Sequence, residues 1–304
     1  MNKAMIVELL SKIAGSGSVL TDELMAKHTS FKIGGPADIF VTPRDTAILT
    51  AVLKTCSDRC IPVFILGNGT NLIVRDKGIR GVVIKLRDNM SGYELDGERI
   101  IAQTGILLSH LSRIALDNGL TGIEFAEGIP GTLGGAVTMN AGAYDGEMSM
   151  VVESSEYLCT DGNIISLDNR EHCFGKRSSL IQSDGGVVLK SCIRLKKGDR
   201  EQIKFKMGKF SALRHEKQPM DMPSAGSVFK RPEGYFAGRL VQDCGLGGFR
   251  TGGAEVSCLH CGFIVNTGTA TAADVTALIQ YIQDTVMARF GVELQTEVKI
   301  VGEE

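Results

Sequence analysis

A glycine-rich stretch from Gly122 to Gly146 (GIEFAEGIPGTLGGAVTMNAGAYDG) constrains the fold of this chain more than any other feature. It holds seven glycines and one proline, and it mixes them with Ile, Leu, Val, Met and Ala. A disordered linker carries more Ser, Lys and Glu, so this composition indicates a buried segment. Glycine is needed where another group approaches the backbone closely, and bare N–H groups bind phosphate well. The stretch therefore predicts either a binding loop for a phosphate or a flat cofactor ring, or a tightly packed turn without a ligand.

A second glycine loop, Gly67–Asn71, follows an apolar run at residues 61–66 that predicts a buried strand. Strand-like residues follow the loop where a Rossmann fingerprint requires a helix, and the Gly-Lys-Ser/Thr of a Walker A loop is missing. Thr70 and Asn71 could bond a pyrophosphate, or they could form an ordinary polar turn. The chain thus has two glycine loops and neither of the common nucleotide fingerprints.

Composition limits the classes of protein to which the chain can belong. Its 304 residues are 43% hydrophobic, which is enough for two or three domains with cores of their own. The 33 basic and 35 acidic residues nearly cancel, so bulk charge gives no support for nucleic-acid binding. We find no run of 18 apolar residues for a membrane span, and charges interrupt the N-terminal apolar pattern as they would not in a signal peptide. We therefore expect an N-terminal helix and a cytoplasmic protein.

Cysteine spacing gives little support for a metal site. Of the eight cysteines, only the pair in Cys258-Leu259-His260-Cys261 has a metal-like or redox-like spacing, and a second such pair is missing. We expect reduced thiols, as is usual in the cytoplasm, and no bound metal.

Hydrophobic periodicity and turn residues predict an alternation of helices and strands. The predicted strands cover residues 38–41, 61–66, 81–86, 99–102, 151–159, 164–167, 187–195 and 292–300. The predicted helices cover residues 45–59 and 107–116, and a third begins at a Thr271–Asp274 capping box and ends at Gly291. Residues 196–209 read as a solvated helix, and Arg214–Pro223, with two prolines, reads as an interdomain linker.

Seven motifs, in order along nearly the whole chain, resemble one family of flavoenzymes. They are Thr29–Asp38 (TSFKIGGPAD), Gly67–Asn71, Glu124–Tyr144, Phe174–Ser179 (FGKRSS), Pro223–Pro232 (PSAGSVFKRP), Gly252–Ser257 and Gly291–Glu297. The chain resembles the UDP-N-acetylenolpyruvoylglucosamine reductase family, and the spacing after Pro232 is similar to its shorter, type II form.

The resemblance implies an α+β protein with three domains. Two would form the PCMH-type FAD-binding fold shared with vanillyl-alcohol-oxidase-type enzymes, and a C-terminal α+β domain would bind substrate. We place the first at residues 1–86, which residues 297–304 could complete, the second at 87–212 and the substrate-binding domain at 213–296.

The resemblance also implies non-covalent FAD, with NADPH as the hydride donor. The residues expected at the FAD are Ile33, Gly34, Gly67, Asn68, Gly69, Thr70, Asn71, Gly128, Ile129, Pro130, Gly131, Thr132, Gly134, Gly135, Asn140, Ala141 and Gly142. The expected partners are small molecules alone, and the protein is expected to be a monomer.

The implied reaction is the NADPH-dependent reduction of UDP-N-acetylglucosamine enolpyruvate to UDP-N-acetylmuramate, a step of cytoplasmic peptidoglycan precursor synthesis. By resemblance, Arg177 binds the substrate carboxylate, Ser227 donates a proton and Glu297 stabilises the developing negative charge. The expected substrate-binding residues are Arg214, Lys217, Lys230 and Arg231. Lys176 departs from the pattern, because the family commonly has tyrosine before the catalytic arginine.

Two other functions compete with this one. An oxidase of the same flavin fold often attaches flavin through a His or Cys near the first glycine loop, and none of the five histidines lies in that loop. A catalytically silent nucleotide-binding regulator would not need Arg177, Ser227 and Glu297. Without the resemblance, these three would read as a surface arginine, a turn serine and a solvated glutamate.

Overall fold

The fold is described from a computed structural model, which covers residues 2–304. Contacts between residues divide the chain into two compact units whose segments alternate along the sequence. The first unit comprises the segments up to Leu20, Phe40–Asn68 and Val82–Leu213. The second unit comprises Thr21–Ile39, Gly69–Gly81 and Arg214–Glu304.

The helices predicted at the N-terminus and at residues 45–59, 107–116 and 271–291 are all present, and further helices lie where none was predicted. They are α1 Lys3–Ala14, α2 Thr46–Ser57, α3 Leu108–Asp117, α4 Leu133–Met139, α5 Leu180–Asp184, α6 Arg200–Lys217, α7 Ala237–Asp243 and α8 Ala272–Phe290.

The strands are mostly short. They are β1 Val19–Leu24, β2 Pro36–Val41, β3 Val63–Leu66, β4 Leu72–Val74, β5 Ile79–Lys85, β6 Tyr93–Asp96, β7 Arg99–Gln103, β8 Leu120–Thr121, β9 Gly142–Ala143, β10 Gly146–Glu147, β11 Val152–Leu158, β12 Ile164–Asp168, β13 Val187–Arg194, β14 Lys196–Lys197, β15 Ser224–Ser227, β16 Arg250–Thr251, β17 Ala254–Val256, β18 Phe263–Asn266 and β19 Lys299–Val301. One four-stranded sheet has the order β1-β2-β5-β3, in which β3 runs parallel to β5.

The first unit is built on an antiparallel sheet of order β12-β11-β13-β7-β6. Its inward side chains, among them Ile100 and Val188, pack against the apolar faces of α3 and α4. Buried and partly exposed residues alternate along β7, as a strand with one buried face requires, because successive side chains point to opposite faces. This core holds the glycine-rich stretch.

The second unit packs an antiparallel sheet of order β15-β18-β17-β16 with α7 and α8. All four residues of β18 are buried. The Thr271–Asp274 capping box begins α8 as predicted, and Gly291 ends it in the left-handed conformation. In the same unit β19 runs parallel to β4, with Lys299 opposite Leu72. Helices and strands together confirm the predicted α+β class.

The glycine-rich stretch contains a helix that the sequence did not predict. Residues 133–139 form α4, capped by Thr132, and Gly142–Ala143 pairs with Gly146–Glu147 in a hairpin. Its glycines hide the helical stripe, because glycine has low helix propensity and no side chain to mark a face.

The predicted interdomain linker at Arg214–Pro223 is wrong over its first residues. Helix α6 continues to Lys217, and Arg214 is 8% exposed. Ile203, Met207 and Arg214 recur at helical spacing on the buried side of α6. A long arginine stem can occupy an apolar position in that stripe, which a reading by polarity misses.

The predicted strand over residues 292–300 is also too long, since only Lys299–Val301 form one. Leu294 and Val298 of this segment are nevertheless buried in the second unit's core. Three residues before this strand, Thr296 forms a single antiparallel backbone pair with Phe229.

Candidate functional site

The two glycine loops contact each other within the first unit. The side chain of Asn68 donates a hydrogen bond to the carbonyl of Pro130 over 2.5 Å. An added Cβ at Gly67 would lie 2.5 Å from Oγ1 of Thr132, so the second loop occupies the space where a side chain would stand. The sequence proposed a shared role for these loops, and the fold brings Gly67–Asn68 and Pro130–Thr132 together.

The glycines of the second loop fall into two groups, one required by packing within the protein and one beside open space. A Cβ at Gly134 would lie 1.9 Å from Oγ1 of Thr104, so this glycine is explained by packing. At Gly131 the nearest atom to an added Cβ is Cγ2 of Ile129, 4.0 Å away, and at Gly135 it is Oγ1 of Thr132 at 3.6 Å. Bare backbone beside open space is what close approach of a flat or phosphorylated ligand needs. The residues of this loop therefore fit an FAD group on the side of Gly131 and Gly135.

Asn140 organises the end of the glycine-rich stretch. It ends α4 in the left-handed conformation at φ 46° and is 1% exposed. Its amide donates to the carbonyl of Gly175 at 3.0 Å, and its Oδ1 accepts from the backbone N–H of Ser149 at 2.9 Å. Both ends of the side chain are thus engaged within the protein, so a contact of Asn140 with FAD would have to come from its backbone.

Arg177 sits in a tight turn that rests on this stretch. Gly175 and Ser178 exchange backbone hydrogen bonds of 3.0 and 3.3 Å, which leaves Lys176 and Arg177 at the tip. The Arg177 guanidinium donates to the carbonyls of Gly142 at 2.9 Å and Asn140 at 3.4 Å. Arg177 itself has a φ of 56°, a conformation that costs a non-glycine residue about 1–2 kcal/mol and needs support from its surroundings.

Ser227 lies in the second unit, at a bulge of the β15–β18 pair. Ser224 faces Val265 and Ser227 faces Phe263, so one extra residue is inserted on β15. Gly226 at this point has a φ of 79°. Bulges redirect the side chains that follow them, and the half-buried Ser227 is the residue redirected here.

Glu297 lies on a neighbouring segment of the same unit. Its backbone N–H donates to the carbonyl of Val228 at 2.7 Å, immediately after Ser227 in the chain. Its own carbonyl accepts from the side-chain amide of Asn71 at 3.1 Å. The carboxylate is half-buried, so the solvated strand face that the bare sequence suggested is not what the fold provides.

Three further FAD candidates of the second unit, Ile33, Gly34 and Gly69, are closely packed within the protein. Ile33 is 2% exposed within the core, and an added Cβ at Gly34 would lie 2.8 Å from Cβ of Val74. Gly69 has a φ of 65°, and an added Cβ there would lie 2.1 Å from the carbonyl oxygen of His28. Tight packing alone accounts for glycine at both positions.

The four substrate-binding candidates differ in exposure. Lys217, Lys230 and Arg231 are exposed, whereas Arg214 is buried in the last turn of α6. Lys230 is fixed through its backbone N–H, which donates to the carbonyl of Gln295 at 2.8 Å. The Arg231 guanidinium lies 3.9 Å from the ring centroid of Phe236, a cation–π contact that orients it.

Lys299 is a charged residue close to Glu297 in the chain, and it was not among the site residues predicted from the sequence. It follows Glu297 by two residues, and its backbone N–H donates to the carbonyl of Asn71 at 3.0 Å. Burial lowers the pKa of its ammonium group. The alternation of residues 293–299 could have indicated it, because Lys299 falls on the same face as Glu297.

Metal-ligating geometry is missing from residues 2–304, where no group of three or more His, Cys, Asp or Glu side chains could hold an ion. Cys258 is exposed and Cys261 buried, and burial raises the pKa of the Cys261 thiol. Within the same described range, no helix is both long and apolar enough to cross a membrane.

Known proteins match this architecture closely. A family model for the UDP-N-acetylenolpyruvoylglucosamine reductase C-terminal domain matches residues 218–301, and one for an FAD binding domain matches residues 37–168. A UDP-N-acetylenolpyruvoylglucosamine reductase of Caldanaerobacter subterraneus is 51% identical over 98% of both chains. One of Alkaliphilus oremlandii is 52% identical over 100% of both. The crystal structure of the Thermus caldophilus reductase superposes with a TM-score of 0.80 at 35% identity, covering 93% of this chain and 97% of that one.

The FAD binding domain match and the named relatives identify the chain as an FAD-dependent oxidoreductase. The chain belongs to the UDP-N-acetylenolpyruvoylglucosamine reductase family, because it is about half identical in sequence to these relatives over nearly its full length. The family assignment therefore replaces the two alternative functions, an oxidase of the same flavin fold and a catalytically silent regulator.

Proposed function

We propose that this protein reduces UDP-N-acetylglucosamine enolpyruvate to UDP-N-acetylmuramate with NADPH as the electron source, in cytoplasmic peptidoglycan precursor synthesis. The observation that carries the proposal is the pairing of two catalytic candidates within the second unit. Ser227 and Glu297 lie on adjacent segments, joined where the Glu297 N–H donates to the Val228 carbonyl at 2.7 Å. A proton donor and an acidic group on neighbouring segments are what reduction of an enolpyruvyl double bond requires.

The hydride chemistry of this reaction would be supplied by bound FAD, with NADPH as the electron source. The bare backbone at Gly131 and Gly135 supports an FAD contact at the second glycine loop. Asn68 and Thr132 connect this loop with the first one, so both would bind the same group.

Arg177 is proposed to bind the substrate carboxylate. Hydride addition to the vinyl carbon pushes electron density toward the carbon beside that carboxylate, and a planar guanidinium fork matches its two oxygens. The Gly142 carbonyl takes one side of the guanidinium, at 2.9 Å from Nη2, and thereby orients it before substrate arrives.

Ser227 is proposed to give the proton that completes the reduction, and Glu297 to stabilise the negative charge that develops on the substrate by donating a hydrogen bond from its carboxyl group. Ser227 donates to the Phe229 carbonyl over 3.3 Å, a long bond that it can exchange for one to substrate. The backbone of Glu297 is held at its N–H by Val228 and at its carbonyl by Asn71, which fixes the point from which its side chain extends.

The diphosphate and sugar of the substrate are proposed to be bound by Arg214, Lys217, Lys230 and Arg231. Because Arg214 is buried, we propose that it acts more by positioning its neighbours than by direct contact. We further propose the three-domain division at residues 1–86, 87–212 and 213–296, and a protein that acts as a monomer.

Single-turnover kinetics of Ser227→Ala test the proposal. Flavin reduction by NADPH should persist, while reduction of the enolpyruvate should fall by about 10²–10⁴-fold. Ser224→Ala, on the same strand, is the matched control and should behave as the unaltered protein. Mass spectrometry should identify a product heavier than the substrate by two hydrogens. Unchanged turnover of Ser227→Ala would remove Ser227 from the proton-donor role.

A further inference from the structure

An aromatic stack joins helix α6 to the hairpin that supports Arg177. The rings of Tyr144 and Phe210 lie parallel, with their centroids 4.5 Å apart. The Tyr144 hydroxyl also donates to the backbone carbonyl of Phe210 over 3.3 Å. Tyr144 is therefore attached to a single residue of α6 both by its ring and by its hydroxyl group.

The hairpin that carries Tyr144 has a strained tip. Tyr144 and Asp145 connect β9 to β10 and have φ values of 50° and 63°. Two residues with positive φ make the tight turn that matches strand twist, but such turns favour Asn and Gly over tyrosine. The left-handed conformation is unfavourable for a non-glycine residue, so the stack on Phe210 compensates a conformation that tyrosine would otherwise avoid.

The base of the same hairpin holds Arg177. Gly142 starts β9, and its carbonyl accepts the Arg177 Nη2 hydrogen bond at 2.9 Å. Gly146, in the strand pair next to the turn, packs so closely on Phe125 that an added Cβ would lie 2.5 Å from Cδ1 of that ring. The hairpin is thus fixed to the core through Gly146 and to α6 through Tyr144, and the Gly142 carbonyl that holds Arg177 belongs to the same hairpin.

We propose that Phe210 and Tyr144 are positioning residues for Arg177, acting through the Gly142 carbonyl. The inference rests on the proposed role of Arg177 at the substrate carboxylate. Loss of the Phe210 ring releases the hairpin tip, lets the Gly142 carbonyl move, and leaves the guanidinium less well oriented. A displacement of this size at a reacting centre lowers rates without abolishing binding.

Half-reaction kinetics of Phe210→Ala test the inference. The rate of enolpyruvate reduction should fall by between about 10- and 100-fold, because misplacement by about 1 Å can cost that much. Flavin reduction by NADPH and the bound FAD content should stay within about twofold. Phe210→Tyr, which keeps the stack, should restore the rate. Phe205→Ala is the matched control, since Phe205 lies on the same helix, is 73% exposed and should leave both half-reactions unchanged.

A double variant separates this inference from the proposed function. If Arg177→Ala slows enolpyruvate reduction, Phe210→Ala added to it should slow the reaction no further. A slow Arg177→Ala with an unimpaired, folded Phe210→Ala would overturn the positioning role alone. An Arg177→Ala variant that reduces enolpyruvate at the normal rate would overturn the role of Arg177 itself. A Phe210→Ala variant that loses FAD and both half-reactions equally would show that the stack serves only stability.

Discussion

The side-chain amide of Asn71 donates a hydrogen bond to the backbone carbonyl of Glu297 at 3.1 Å. The carbonyl of Asn71 accepts in turn from the Lys299 N–H at 3.0 Å. One residue of the first glycine loop thus holds the C-terminal segment on both sides of Val298. The sequence assigned Asn71 to FAD, and the structure shows that its side-chain N–H also bonds the backbone of a catalytic candidate.

Replacing Asn71 with alanine should therefore impair turnover as well as stability. Loss of the amide leaves the Glu297 carbonyl without this donor, and we expect about 1 kcal/mol less free energy of unfolding. Enolpyruvate reduction should also slow, because Glu297 loses one of its two backbone restraints. Urea denaturation and single-turnover absorbance measure the two effects.

Asn118→Ala is the control for that comparison. The Asn118 amide donates to the Ile114 carbonyl at 2.8 Å, a similar bond at the end of α3. It should cost similar stability and leave turnover unchanged. Equal turnover in both variants would show that the Asn71 bond is structural only.

Replacing Asn140 with alanine or with glycine should lower the free energy of unfolding, and the loss should be greater with alanine. Both substitutions remove the hydrogen bonds to Gly175 and Ser149. Alanine additionally has to adopt a φ of 46°, and we expect it to be less stable than the glycine variant by about 1–2 kcal/mol. Equal free energies of unfolding for the two variants would contradict the left-handed conformation of this residue.

Gly131→Ala should weaken FAD binding without weakening the fold. An added Cβ meets only Ile129 Cγ2 at 4.0 Å within the protein, so the apoprotein should unfold at an unchanged urea concentration. A bound FAD on that side would meet the new methyl group, and its dissociation constant should rise. Gly17→Ala, with open space around its Cβ, is the control that should leave FAD affinity intact. Normal FAD affinity in Gly131→Ala would move the cofactor to another face of the loop.

Stability should fall in mild acid because of His172. Its ring lies between the Asp168 carbonyl at 2.6 Å and the Ser155 hydroxyl at 2.9 Å, and burial lowers its pKa. The unfolded chain then binds a proton on this residue below about pH 6.5, whereas the folded protein does not. The associated stability is fully present above that pH and is lost as the pH falls toward the lowered folded pKa.

Unfolding free energies at several pH values check this prediction. His172→Gln should flatten the pH dependence of the unfolding free energy between pH 6.5 and the lowered pKa of folded His172. His110→Gln, at an exposed position, should not flatten it. His260, whose pKa burial also lowers, would leave a residual slope in both variants. An unaltered slope in His172→Gln would show that another group controls the acid limb.

Much of the fold was readable from the sequence because local signals and burial agreed. Helix α8 shows this best, with a capping box at Thr271, an apolar stripe and Gly291 as its end. The failures have one physical source, which is that tertiary packing overrode local preference. Helix α4 forms from a glycine-rich sequence, and α6 continues through Arg214 because burial of its stem favours the helix.

The site was readable only in part for the same reason. Motifs identified Arg177, Ser227 and Glu297 as candidates, and contacts within each unit now give each of them named supports. Periodicity could not reveal those supports, because Asn140, Tyr144 and Phe210 act over distances of tens of residues along the chain. Nor could it separate glycines needed for packing, such as Gly134, from glycines beside open space, such as Gly131.

Anaerobic absorbance of the flavin band follows both halves of the proposed reductase reaction. The purified protein is mixed first with NADPH and then with UDP-N-acetylglucosamine enolpyruvate. We predict that the band bleaches with the first and recovers in stoichiometric amount with the second. A bound flavin that bleaches but recovers only when oxygen is admitted would contradict the proposed substrate, and a protein that binds no FAD on reconstitution would contradict the account as a whole.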